Sequence, residues 1–482
     1  MQVAHRQLPA VKNFRRLLVA NRGEIAVRVI RACRSLGIEV VVAVSEADTE
    51  SKAARMADST VLIGPGPAAE SYLRIDRLVE AAGRSNCDAL HPGYGFLSER
   101  SAFARACAEA GITFVGPSPE AIESMGDKIT AVHLAETSGV PRVPGSAALT
   151  DVAHAAQVAD EIGYPVLIKA TAGGGGRGMR IVREHSELPG AMESAANEAR
   201  SAFGDDTLYM EKFIDEARHI EIQVMGDAFG SVVHLGEREC STQRRHQKLI
   251  EEAPSPAISE QMRQEMGKCA VQLARAANYV GAGTVEYVVD SVSNKFYFLE
   301  MNTRIQVEHP VTEMVTGLDL VVEQIRVAQG LPLSFTQEQV RLRGHAIECR
   351  INAEDADRNF LPKPGLISTW EEPHGDGVRL DTHCYPGYSV PPFYDSLLAK
   401  IIVHGTSRSD AIARMTDALR DFRIEGVPST IPFHREMMQE EDFIQGRVTT
   451  RWVEQKFLPA RKAKQRAAAD AARAAKAAAQ PT

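Results

Sequence analysis

No run of 18 apolar residues occurs in the sequence, so no segment has the length to cross a bilayer as a helix. The first 13 residues, MQVAHRQLPAVKN, lack the apolar stretch of a secretory signal. Cysteine is scarce. The seven cysteines, at 33, 87, 107, 240, 269, 349 and 384, are odd in number and contain no C-x-x-C pair, which argues against a disulfide framework and a zinc site. A reducing, cytoplasmic setting is the expectation. Neither sign of charge dominates, since 55 Lys and Arg face 63 Asp and Glu for a net −8. That balance excludes a general pull toward nucleic acid or membrane lipid, so any phosphate binding has to be local.

At 482 residues the chain exceeds one ordinary core, and two to four lobes are expected. RRLLVA (15–20) reads as a strand, GEIAVRVIRACRSLG (23–37) as an amphipathic helix and IEVVVAV (38–44) as a buried strand. Such a βαβ opening predicts a parallel sheet. Its turn is NRGE and not G-x-G-x-x-G, so the dinucleotide fingerprint is missing there. The alternation continues through VLIGPG (61–66), DALHPGYGF (88–96) and TFVGPS (113–118), where strands end in Gly/Pro loops.

Between 127 and 216 the character changes. YPVLIKA (164–170) and RIV (180–182) are strands joined by the glycine loop TAGGGGRGM (171–179). A P-loop needs GK[ST] opening a helix, and this loop has neither. It can still lay backbone N–H groups over phosphates, because glycine permits close approach and positive φ. A flexible hairpin is the lesser alternative on the glycines alone, and Lys169, near the end of the leading strand, tips the balance further by bringing an ammonium to the same phosphates. From 217 onward HIEIQVMGD, SVVHLGERECS and AGTVEYVVD read as antiparallel strands, followed by KFYFLEMN. A last α/β segment runs from GHAIECRINAED through AKIIVHG to the helix SDAIARMTDALRDF. The final 22 residues, RKAKQRAAADAARAAKAAAQPT, carry six basic residues against one acidic and predict a loose helix or none.

The densest chemistry lies in EMNTRIQVEHP (300–310), at the end of the strand KFYFL. Glu286, in GTVEYV, and Glu300 lie on neighbouring strand-like runs and can face one cavity. Two such carboxylates repel and raise one pKa unless a cation sits between them. With Asn302 they form a hard oxygen set suited to Mg²⁺ or Mn²⁺ holding nucleotide phosphates, where a lone glutamate would more often be half of a structural ion pair. Arg304 offers a planar fork for a flat oxyanion such as carboxylate or bicarbonate, and Glu308 a general base if its environment holds it near the working pH. His309, before Pro310, receives no role.

NRGEIAVR, HPGYGFLSE, MGDK, GGGGRGMR, YMEKF, RHIEIQV, QRRHQK, EEAPSP, EMNTRIQVEHPVTEM, ECRINAED and PPFYDSLLAK resemble the biotin carboxylase family, in the same order, from about residue 14 to 458. Single pieces such as GGGG are weak, whereas the ordered set is specific. The resemblance implies an α/β fold, α+β in its middle lobe: a Rossmann-like N-terminal domain (14–126), an ATP-grasp domain (127–330) with a glycine-rich lid at about 141–213, and a C-terminal biotin carboxylase domain (344–456), ahead of the low-complexity tail (461–482). It also implies that ATP activates bicarbonate to carboxyphosphate, whose CO₂ carboxylates N1 of biotin. By motif, Lys128, Lys169, Gly175 and Gly176 resemble contacts to the ATP phosphates. Glu211, Lys212, Phe213 and Ile214 look like the segment that meets adenine. His219 and His246 resemble further nucleotide contacts, and Lys248 a bicarbonate or phosphate contact. Glu286, Glu300 and Asn302 would be the metal set, with Arg304, Gln306 and the Val307 backbone clamping bicarbonate for the base Glu308. Arg350 resembles the residue that meets the ureido oxygen of biotin, and Tyr94 would line the biotin side.

One departure is Ala172, where many relatives carry another glycine. No A-M-K-M biotin attachment segment is present, so the expectation is a separate biotin carboxyl carrier protein and carboxyltransferase subunit, and a homo-oligomer, dimer or larger. Two other readings stand beside this one. Another ATP-grasp ligase would share the flap and the glutamates but need not share R-I-Q-V-E-H or ECRINAED. A non-catalytic nucleotide-binding scaffold would have lost an acid, a lysine or the arginine clamp, and all of these are present. The final carboxyl acceptor, acyl-CoA or pyruvate-type, is not written in these motifs.

Overall fold

A computed structural model describes residues 10–170, 179–203 and 205–478. The chain forms two compact units, one of Met1–Val140, Arg218–Tyr287 and Leu299–Thr482, the other of Pro141–Ala217 and Val288–Phe298.

The first unit opens with the βαβ element read from the sequence. Strands Arg16–Val19 and Glu39–Ser45 flank helix Gly23–Ser35, and the five-stranded parallel sheet runs in the order 59–64, 39–45, 16–19, 89–91, 113–114. Leu17, Leu18, Val40, Val41 and Val42 are buried, as befits a parallel sheet covered on both faces. Asn21 ties its first turn to the HPGYGF loop, donating from Nδ2 to the carbonyls of Pro92 and Tyr94, both at 2.7 Å.

An eight-stranded sheet follows in the order 295–302, 281–290, 217–226, 232–244, 247–253, 345–352, 397–405, 378–382. Strands His345–Asn352, Leu397–Gly405 and Val378–Thr382, from the C-terminal α/β segment, extend this sheet and do not start another. Helix His309–Thr316 packs on it through Val311 and Val315, against Ala253, Ala346 and Ile402. The opposite face of the C-terminal strands carries Ile347, Cys349, Ile351, Ile401 and Val403 into a core completed by Met415, Leu419 and Phe433. The tail, expected to be a loose helix or none, is the helix Leu458–Ala478. Arg461 pins its first turn to Glu436 at 2.8 Å and Asp357 at 2.6 Å, Gln465 donates to Asp357 at 2.8 Å, and alanine's high propensity favours the helix beyond.

The second unit has a three-stranded antiparallel sheet, 180–182, 166–170, 208–212, under helices Val152–Ile162 and Leu188–Phe203. Ala155, Ala159, Ala195 and Ala199 are fully buried against Val166, Ile168 and Met210, small residues that let the helices sit close. The glycine loop, with Gly175 and Gly176, lies outside the described residues. Among the described residues no helix is long and apolar enough to cross a membrane.

One buried ion pair holds the C-terminal edge of the parallel sheet, beyond the ends of strands 16–19 and 39–45. Asp48 accepts from Arg22 Nε at 2.8 Å, from Arg22 Nη2 at 3.0 Å and from the Tyr72 hydroxyl at 2.8 Å, while the guanidinium stacks 4.1 Å over Tyr394. Removing one partner strands a buried charge. Asp48→Ala should therefore lose about 3–5 kcal/mol of unfolding free energy in urea titration; a loss below about 1 kcal/mol would show that the pair does not hold this edge.

Candidate active site

Strand alternation places the charges. Along Ala217–Gly226, Ile220, Ile222 and Val224 are buried on one face while His219, Glu221 and Gln223 point to the other. Arg238, opposite Glu221 on the next strand, is fully buried and donates to Glu221, to Gln223 Oε1 at 2.7 Å and to the hydroxyls of Thr284 and Thr312, each at 3.1 Å. Every polar group of that guanidinium's surroundings thus faces the same side of the sheet.

Lys248 follows a hairpin whose two central residues, Arg245 and His246, have φ of +48° and +64°. Asn-Gly would turn there without strain, so an Arg-His pair is retained against its backbone preference. Lys248 Nζ lies 2.6 Å from Glu221, 2.6 Å from Glu308 and 3.1 Å from Glu286. Glu286 also lies 2.9 Å from His219 Nε2 and accepts from Asn302 Nδ2 at 2.9 Å and Gln306 Nε2 at 3.3 Å.

Glu308 sits where the extended segment after strand Lys295–Asn302 turns into helix His309–Thr316, whose first turn holds Pro310. Its carboxylate is fully buried between Lys248 and Arg350, the latter donating from Nη2 at 2.9 Å. Burial alone would push the carboxyl up, but Lys248, Arg350 and Arg238 together hold it well below the usual carboxylate range. At Lys248 burial is outweighed by Glu221, Glu308 and Glu286, which hold its ammonium well above the ordinary lysine value. Arg350 Nε also binds Glu251 Oε1 at 2.6 Å, and its Nη1 makes no hydrogen bond among the described residues.

Arg304 donates to Glu99 Oε2 at 2.9 Å, Gln306 Oε1 at 2.8 Å and Asn302 Oδ1 at 3.2 Å. The Val307 carbonyl accepts from Lys400 at 2.8 Å, and the Tyr94 hydroxyl donates to Glu24. Glu300 is exposed, on the strand beside that of Glu286, and has no hydrogen-bond or ion-pair partner among the described residues. Its carboxyl is nevertheless pushed up, by partial desolvation and by the charges of Glu286 and Glu99. Lys128 begins helix Lys128–Thr137 and is exposed, as is His246. His309 is buried and has no role beyond its 2.7 Å contact with the Gln306 carbonyl; burial and then Lys400 hold its ring well below the usual range.

In the second unit Lys169 and Glu211 are neighbours on paired strands and form an ion pair with each other. Lys212 donates to the carbonyls of Gly163 at 2.8 Å and Tyr164 at 2.9 Å, and the Phe213 amide to Pro165 at 3.0 Å; Ile214 follows, half-buried.

Of the residues singled out from the sequence, the fold brings Lys248, Glu286, Asn302, Arg304, Gln306, Glu308 and Arg350 into one hydrogen-bonded group, with His219 2.9 Å from Glu286. Glu221, Arg238, Glu251, Glu99, Glu24 and Lys400 belong to it and were not singled out. For Glu221 a signal existed: the strict alternation of H-I-E-I-Q-V marks a polar strand face. Lys400, in the apolar run LLAKIIV, and Glu24, after NRG at a helix start, lie in the family-like strings PPFYDSLLAK and NRGEIAVR, but neither residue carried a signal of its own.

The descriptions of three matching family models are "Biotin carboxylase, N-terminal domain" over residues 13–122, "Carbamoyl-phosphate synthase L chain, ATP binding domain" over 127–336 and "Biotin carboxylase C-terminal domain" over 348–455. The chain is 53% identical over 442 residues to biotin carboxylase 1 of Bacillus subtilis, covering 92% of this chain and 98% of that protein. It is 53% identical over 443 residues to a pyruvate carboxylase subunit of Methanothermobacter thermautotrophicus, covering 92% and 90%. A solved structure of the 2-oxoglutarate carboxylase biotin carboxylase domain dimer of Hydrogenobacter thermophilus, with MgADP, ADP and bicarbonate, superposes with a TM-score of 0.81 at 48% identity, covering 93% and 98%.

Glu251 generates a pH expectation. Burial raises its carboxyl more than Arg350 lowers it, to about 7. Below about pH 4.3 it is protonated folded and unfolded alike; above that, the folded protein keeps a proton that the unfolded chain has released. Its contribution to stability is therefore present in acid and lost as pH rises through about 7. Glu251→Gln does not titrate, so the unfolding free energy of the variant relative to the parent should rise between about pH 5 and about pH 8 in urea titrations. A flat or falling difference would contradict the raised value.

Proposed function

The chain belongs to the biotin carboxylase family, and on that premise we propose how its residues divide the ATP- and bicarbonate-dependent carboxylation of biotin. The observation that carries the reading is the fully buried Glu308 carboxylate held at once by Lys248 and Arg350, beside the Arg304 fork. Bicarbonate is an anion, and Lys248, Arg304, Gln306 and the Val307 amide supply the donors that would bind it. Once it draws on Lys248, Glu308 loses part of the charge that keeps its pKa low and becomes a stronger base. Glu308 then takes the bicarbonate proton, and the freed oxygen attacks the γ-phosphorus of ATP, forming carboxyphosphate and releasing ADP. Carboxyphosphate breaks down to CO₂ and a basic phosphate, which takes the N1 proton of biotin as N1 attacks CO₂. Arg350, with Nη1 free of internal partners among the described residues, would meet the ureido oxygen as negative charge builds there, with Tyr94 lining that side.

Lys128, Lys169, Gly175 and Gly176 would bind the ATP phosphates, Glu211, Lys212, Phe213 and Ile214 the adenine, and His219 and His246 the rest of the nucleotide. The residues present suit Mg²⁺ or Mn²⁺. Glu300 is crowded by the like charges of Glu286 and Glu99, a repulsion that a divalent cation relieves, and Asn302 adds a third oxygen. His219 and Glu221 offer ligand atoms that lie with one of Glu286 within 4.8 Å of one another. Held there, such an ion would neutralise phosphate charge.

Biotin would arrive on a separate carrier protein and leave for a carboxyltransferase subunit, in a dimer or larger assembly. A cytoplasmic setting fits seven free cysteines, six of them buried. The relatives' names divide between biotin carboxylase and pyruvate carboxylase, so one half-reaction serves several acceptors, and that half-reaction is what we assign here.

With Mg²⁺ and ATP, ADP release by the purified protein should rise when bicarbonate and free biotin are both supplied; equal release without either would overturn the reading. Arg350→Ala should lower carboxybiotin formation by about a hundred- to a thousand-fold, the typical cost of one oxyanion contact. Its nucleotide affinity should stay near that of the parent, and bicarbonate-dependent ATP cleavage should fall less, because Arg304 and Glu308 remain. Carboxylation within about threefold of the parent, or a collapse of nucleotide affinity, would remove Arg350 from the biotin site.

A further inference from the structure

Lys400 lies on strand Leu397–Gly405, paired across the sheet with Arg350 on one side and Asp381 on the other. Its side chain is fully buried. The ammonium donates to the Val307 carbonyl at 2.8 Å and lies 3.0 Å from Glu24 Oε1, with Asp381 Oδ2 at 4.0 Å. The same Glu24 oxygen accepts from the Tyr94 hydroxyl. Glu24 sits in the first turn of helix Gly23–Ser35, and its second oxygen is buried with no partner among the described residues.

One buried cation therefore joins two ends of the site. The Val307 carbonyl belongs to the planar peptide unit that leads into Glu308, so holding it sets where the Glu308 side chain begins. Through Glu24 the same cation holds the hydroxyl of the ring that lines the opposite side. Burying an ion pair is weak evidence for stability, since well-packed apolar residues often serve as well or better. What apolar residues cannot do is hold a carbonyl and a phenol at once.

We propose that Lys400, with Glu24, is a positioning pair that locks the Val307–Glu308 peptide and the Tyr94 ring in one register, so that bicarbonate activation and biotin carboxylation share one geometry. This rests on the biotin carboxylation reading. Its signature is coupling: with the lock removed, bicarbonate is still activated, but carboxyphosphate decays without reaching biotin.

The test uses the full chain with Mg²⁺, ATP, bicarbonate and free biotin, and reads ADP released per carboxybiotin formed. Lys400→Met alone would leave Glu24 unpaired, so the variant is Lys400→Met with Glu24→Gln, which leaves neither charge behind. We expect nucleotide affinity like the parent's, a higher KM for bicarbonate and a ratio of ADP to carboxybiotin raised by roughly tenfold, within what small misplacement of reacting groups costs. A folded double variant whose ratio stays within about twofold of the parent overturns the proposal. Should the double variant fail to fold, Tyr94→Phe removes only the phenol from the chain of contacts; a ratio raised severalfold supports the lock, and an unchanged ratio overturns it. Absence of biotin-stimulated ADP release from the parent would remove the functional reading and this inference together, whereas a parent-like ratio in the variant removes this inference alone.

Discussion

A fully buried carboxylate stays charged only where cations match it, and that constraint organises the charged face of this protein's large sheet. At Glu308 the cost of burial is offset by two cations in direct contact, Lys248 and Arg350, with Arg238 behind them. Each cation needs further acceptors, which brings in Glu221, Glu286 and Glu251. Three cations thus face four carboxylates, and Glu251 eases the imbalance, because its carboxyl, pushed up to about 7, retains its proton in part near neutrality. The network leaves Glu308 charged and weakly basic.

The sheet makes such a network possible. Side chains on neighbouring strands stand about 5 Å apart on one face, and each strand contributes every second residue. Polar residues at alternate positions of Ala217–Gly226 therefore share one face, where Arg238 of the next strand meets them, while Ile220, Ile222 and Val224 fill the core behind. Arg350 and Lys400 are direct cross-strand partners, yet they serve different ends: one faces Glu308 and Glu251, the other turns to Val307 and Glu24. The helix that begins at His309 closes the top of this face with Val311 and Val315, so the charges lie in a low-dielectric pocket where their orientation persists.

The tail shows local propensity at work. Its alanine-rich run was expected to be a loose helix or none, and two ion pairs from Arg461, with Gln465 on Asp357, fix its start. Nucleating a helix is the costly step, and a chain of good helix formers then extends it.

Much of the molecule was legible in the sequence. The βαβ opening, the two strands either side of the glycine loop, the antiparallel run from 217 and the crowded EMNTRIQVEHP segment all follow from periodicity and residue type, because strand alternation and turn chemistry are local. Residue types also marked Glu286, Arg304 and Glu308 as chemical groups. Only the tertiary structure decided their partners. Lys248 meets Glu308 across 60 positions of sequence and Arg350 meets it across 42, distances over which no pattern of spacing carries information. Lys400 and Glu24 read as ordinary members of apolar elements, and they become part of the site only because sheet register sets one beneath Val307 and the first helix turn sets the other beside Tyr94. The sequence by itself determined which charges the protein owns and which face of each strand they take; folding alone determined which of them meet, since pairing of buried charges is settled by long-range packing.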